Sequence, residues 1–161
     1  MSMLHVGSGI ELTGDRVFAN RVRRLVAISA VALGAIWGLA LAEEASTWIL
    51  VSLAVGWIAM PTILAASLSR PALRYALVVP AGAVSIGLIG MVMTAPEETA
   101  AGWLLIAAGI LLGGFLGVWF WFRWLPVPRI LDDPFGWPRV ALVGLHLALV
   151  LVGSMFVAVG I

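Results

Sequence analysis

The sequence predicts an all-α integral membrane protein: five transmembrane helices in an up-down bundle, N-terminus cytoplasmic and C-terminus outside. Three observations predict it. The chain has 161 residues, of which 63% are hydrophobic and 11% charged, and its mean hydropathy is +1.13. A soluble domain carries about 25% charged residues and could not hide this much apolar surface. Five runs without Asp, Glu, Arg or Lys come close to or exceed the ~20 residues that cross a bilayer; they are 25–42, 47–68, 75–94, 100–122 and 140–161. The connections between them alternate in charge. Arg16, Arg21, Arg23 and Arg24 precede the first run, Arg70 and Arg74 separate the second from the third, and Arg123, Arg129 and Arg139 lie between the fourth and fifth. The other two connections carry only Glu43, Glu44, Glu97 and Glu98. Every Arg therefore falls on one side of an up-down threading, and the positive-inside rule assigns that side to the cytosol. This points to the cell (inner) membrane of a prokaryote, crossed several times.

The elements follow in order. Residues 1–24 form a cytoplasmic N-terminal segment, partly an interfacial helix, too short for a core of its own. The first span, 25–42, carries Ala30, Gly34 and Gly38 at four-residue spacing, which lets another helix approach closely. Its Arg-rich start and the "ALA" before Glu43 also resemble a cleavable signal peptide; with Met1 taken as the start, it is read as a span. The second span, 47–68, opens at Trp48 and contains Trp57, Pro61, Thr62 and Ser67. Pro61 lacks an N–H, so it frees the Trp57 carbonyl. The third, 75–94, holds Pro80 near its start and the small pair Ala83 and Gly87. The fourth, 100–122, opens at Trp103 and repeats glycine at Gly109, Gly113 and Gly117. Trp48 and Trp103 read as outer interfacial anchors, and Tyr75, Trp119, Trp121, Trp124 and Trp137 as inner ones.

The loop 123–139, "RWLPVPRILDDPFGWPR", is the richest polar stretch. Its prolines forbid a regular helix. Arg123, Arg129, Asp132, Asp133 and Arg139 are expected to meet lipid headgroups or a cytoplasmic partner. The first two outer turns, each a Glu pair followed by a Trp, raise a tandem duplication of hairpins, for which an anchored outer turn is sufficient explanation.

Composition excludes several chemistries. No cysteine means no disulfide, thiolate metal site or thiol catalysis, and no lysine means no lysine-linked cofactor. A net charge of +1 offers no field for nucleic acid. His146 and Ser154 lie eight residues apart on one helix, about 12 Å, too far for a nucleophilic dyad. The chain is read as having no catalytic residues and no metal site, and hence as not an enzyme.

His146 is the one imidazole in an apolar run. It needs hydrogen-bond partners, and Ser29, Thr62 and Ser67 are the polar groups expected at its depth. Three functions follow. The first is a non-catalytic accessory subunit or assembly factor of a larger membrane complex, respiratory or transport, packed on other membrane subunits or on copies of itself. The second is a minimal transporter or channel for a neutral solute, with an inner-leaflet site built from His146, Thr62, Ser29, Ser67 and Trp57. The third is a haem protein that uses His146 as an axial ligand.

Overall fold

The computed structural model describes residues 6–122 and 137–160. Among them the chain is helical, with no strand. Five α-helices follow in order: α1 (Val6–Ala42), α2 (Thr47–Ala66), α3 (Val78–Thr94), α4 (Glu97–Phe122) and α5 (Trp137–Val159). A 3₁₀ segment, Pro71–Leu77, leads into α3. Residues 123–136, including Arg123, Arg129, Asp132 and Asp133, lie outside the described residues.

Three helical stretches are long and apolar enough to cross a membrane: Thr47–Ala66, Ala72–Thr94 and Val140–Val159. The apolar part of α1, Val26–Ala42, is shorter. The helix itself does not break at residue 25; it runs unbroken for 37 residues, about 55 Å at the usual rise. That exceeds the ~30 Å of a hydrocarbon core. The start of α3 differs from a span opening at 75. Pro80 sits in its first turn and has no N–H to donate to the Ala76 carbonyl, so the tighter 3₁₀ geometry precedes the α-helix. Pro61 lies inside α2, which continues through it to Ala66.

The turns are short and self-satisfied. After α1 the Ala45 N–H bonds the Ala40 carbonyl at 3.0 Å and the Glu44 N–H bonds the Leu41 carbonyl at 3.1 Å. This is a Schellman closure, with Glu44 in the left-handed region at φ 55°. Before α4, the Pro96 carbonyl accepts from Thr99 and Ala100 at 3.0 and 2.9 Å. Glu97 and Glu98 then occupy the first turn of α4, where their charge favours the positive end of the helix dipole.

Neighbours in sequence are neighbours in space, and α5 also touches α1. The pairs are antiparallel. A Cβ at Gly34 would meet Trp57, one at Gly56 would meet Val84, and one at Gly87 would meet Leu53. The α4–α5 interface is the most extensive. There Gly102 faces Val157, Ile106 faces Gly153, Gly109 faces Val150 and Gly113 faces His146. On both helices these positions step by four, three and four residues, the left-handed seam in which ridges interlock at a shallow angle. At the Gly102–Gly153 crossing the backbones nearly touch. A Cβ on Gly153 would lie 2.6 Å from the Gly102 carbonyl oxygen.

Leu33, Ile36, Ala40, Ile49, Leu53, Val84, Leu88, Met91, Trp103, Ile106 and Val157 form one buried cluster. Most lie in the half of their helices nearest the Glu turns; Val84 lies before the midpoint of α3. Toward the Arg70 end, Ser67, Pro80 and Leu116 are also buried among the described residues. The outside of the bundle is also apolar: Val31, Val51, Ile58, Ile86, Leu111, Leu151 and Met155 all face outward. Such a surface suits lipid and not water.

Candidate functional site

Hydroxyl groups do little between helices. Ser29 Oγ donates to the Val26 carbonyl at 3.0 Å, Thr62 Oγ1 to Ile58 at 2.6 Å and Ser67 Oγ to Leu64 at 2.7 Å. Each bonds one turn back on its own helix, which satisfies a hydroxyl where no water is present. None of the three is a partner of His146. The α5 helix packs on α4 and α1.

Three polar contacts that cross between elements come from rings. Trp37 Nε1 donates to the Leu50 carbonyl at 3.2 Å. The Trp37 ring also stacks on Trp57, with centroids 5.4 Å apart and planes inclined by 26°. Trp57 in turn lies against Gly34, where a Cβ would sit 2.9 Å from its Nε1. Gly34 is thus a packing residue between α1 and α2. Gly38 is not, since nothing stands within 4 Å of its Cβ position.

Trp103 departs from the belt position expected of it. It is fully buried and its Nε1 donates to Glu43 Oε2 at 3.1 Å. This clamps α4 to the turn after α1. The other carboxylate oxygen, Glu43 Oε1, is buried without a partner. One signal of this was present in the sequence. Trp103 lies six residues beyond Glu97, about 9 Å further along the helix and deeper than an anchor needs. Trp48, Tyr75 and Trp137 do face outward, as interfacial aromatics do.

His146 reaches across the α4–α5 seam. Its Nδ1 and the Gly109 carbonyl oxygen are 2.6 Å apart. Gly113 explains how this is achieved. In a helix the Gly109 carbonyl points toward residue 113, and a Cβ there would lie 2.7 Å from His146 Nδ1. Without that Cβ the ring settles on the bare backbone and uses the second lone pair of the carbonyl. A carbonyl only accepts, so Nδ1 carries the proton. In the uncharged ring Nε2 then keeps a lone pair. Two of the three glycines singled out on α4 therefore serve His146; Gly117 lies where packing is not described. Ala30 is half-buried on α1, and the Arg139 backbone lies in the first turn of α5.

Among the described residues no three His, Asp or Glu side chains converge as metal ligands do. No family model, no curated protein and no solved structure matches the chain. The reading of its function therefore rests on its own geometry.

Proposed function

We propose that the protein is a non-catalytic accessory subunit or assembly factor within a larger membrane complex, respiratory or transport, in a prokaryotic inner membrane. The five-span threading belongs to this reading: α1 to α5 each cross once, the Arg end is cytosolic and the Glu end is outside. The Arg distribution supports it, as does α4, which carries no charge from 99 to 122.

One observation carries the subunit reading. Gly38, Gly82 and Gly144 sit on the outside of α1, α3 and α5, with nothing within 4 Å of their Cβ positions. Glycine inside a helix costs up to about 1 kcal/mol against Ala, and these three return nothing to packing among the described residues. Small outward faces are where helices of other subunits approach. The cross-helix contacts of Trp37, Trp103 and His146, by contrast, hold the chain together.

Purification in mild detergent followed by quantitative mass spectrometry tests this. The expected result is stoichiometric recovery of other membrane subunits, reduced by Gly144→Leu, and no turnover by the isolated chain. A lone chain that moves a solute in liposomes overturns the reading.

A further inference from the structure

We propose that Arg23 of α1 and Arg70, just past the end of α2, together hold the phosphate of an anionic phospholipid. The proposal rests on the membrane placement above but not on the subunit role.

The register of α1 against α2 brings the two residues to one level. Gly34 packs on Trp57, and Trp37 donates to the Leu50 carbonyl. Arg23 lies 11 residues before Gly34, and Ala66 lies nine after Trp57, about 16 and 14 Å along antiparallel helices. The Arg70 N–H bonds the Ala66 carbonyl at 3.0 Å, so Arg70 stays within a turn of the end of α2. Val26, Ser29 and Ala30 are half-buried, which keeps α1 packed on the bundle to within a turn of Arg23. Helical spacing then separates Arg23 from Arg24. Arg23 shares its face with Trp37, two heptads on, which reaches α2. Arg24 shares its face with Val31 and Gly38, which look outward.

Charge complementarity gives the occupant. Arg23 and Arg70 are both exposed, and Arg74 adds positive charge on the 3₁₀ segment. Among the described side chains the carboxylates are those of Glu43, Glu44, Glu97 and Glu98, all at the opposite end. Packed helices lie about 8–10 Å apart, so two guanidinium groups on neighbouring helices can meet on one anion. Each grips phosphate oxygens through paired N–H groups. The depth makes that anion a lipid. Leu25 opens the apolar run two residues past Arg23, and Ile28 and Val31 already face outward; this boundary is where headgroups sit. The hydroxyls nearby are spent on their own turns, Ser67 on Leu64 and Ser69 on Ala66, so recognition falls to charge. A zwitterionic lipid carries its own cation beside the phosphate. Phosphatidylglycerol carries none and is the better partner.

Native mass spectrometry of the full chain in detergent, titrated with dioleoylphosphatidylglycerol, resolves the first bound lipid. Micelles have no sidedness, so the outcome does not depend on which end faces the cytosol. Phosphatidylglycerol should bind more tightly than dioleoylphosphatidylcholine, and glycerol 3-phosphate, a headgroup without acyl chains, should not displace it. Arg23→Gln and Arg70→Gln should each weaken the first phosphatidylglycerol about fivefold, the strength of one surface Arg. The double variant should lose clearly less than the product of the two, because both grip one phosphate, and Arg24→Gln should change the affinity less than twofold. Equal affinities for the two lipids overturn the proposal. So do displacement by glycerol 3-phosphate, fully multiplicative losses, or an Arg24→Gln loss equal to that of Arg23→Gln, which is diffuse surface charge.

Discussion

Glu44 holds a backbone conformation that costs a side-chain-bearing residue about 1–2 kcal/mol. It does so because the Schellman closure after α1 needs a residue at φ 55°. Glu44→Gly is expected to raise stability by about 1 kcal/mol, the relief of that strain less the added freedom of the unfolded chain. Unfolding in a single detergent measures it. Trp103 gives the opposite sign. Trp103→Phe keeps the bulk but removes the one side-chain donor to Glu43 among the described residues, leaving both carboxylate oxygens without the partner that one of them has. A loss of about 1–3 kcal/mol is expected. The same change made beside Glu43→Leu should cost clearly less, because no carboxylate is then left unpaired; equal costs in both backgrounds would dismiss the clamp. The sequence placed both residues near the Glu turns but could not pair them. Their separation in the chain is 60 residues, and only the antiparallel stacking of α1, α2, α3 and α4 closes it. His146 was legible as a polar group needing a partner. Its partner was not legible, because it is a backbone carbonyl uncovered by a missing side chain, and hydroxyls in an apolar helix bond back to their own turn.

At the scale of the helices, the existence of the apolar runs was plain from composition, whereas their seams were not. Four-residue glycine repeats suggest one crossing geometry, yet α4 and α5 meet through a four-three-four step that recruits Gly102, Ile106 and Gly153 as well as Gly109 and Gly113. The two patterns share residues, so spacing alone cannot choose between them. The helix boundaries moved for a local reason, the proline pair Pro71 and Pro80, which turns the approach to α3 into a 3₁₀ segment. The seam makes a paired prediction. Gly153→Ala drives a methyl group against the Gly102 carbonyl, which cannot rotate aside, and should cost about 1–3 kcal/mol. Gly144→Ala, two and a half turns away and facing open space, should cost nothing and gain up to about 1 kcal/mol of helix propensity. Stability measured on both variants in one detergent checks the pair; comparable losses would mean that α5 packs with another face.

At the scale of the whole molecule, one core ties all five helices together. Near the Glu turns, α1 to α5 share one buried cluster and the Trp103–Glu43 clamp. Toward the Arg end Ser67, Pro80 and Leu116 are buried among the described residues. Which side chains form the shared cluster could not be read from the sequence, since both halves are equally apolar; it depends on what the stacking brings together. The account depends on the Arg end facing the cytosol, and one measurement addresses this directly. The chain has no cysteine, so single-cysteine variants report without background. In sealed, right-side-out vesicles, a membrane-impermeant thiol reagent should label Glu98→Cys at once and Arg70→Cys only after the membrane is opened. Labelling of Arg70→Cys in sealed vesicles, or recovery of the protein in the soluble fraction without detergent, would contradict the account.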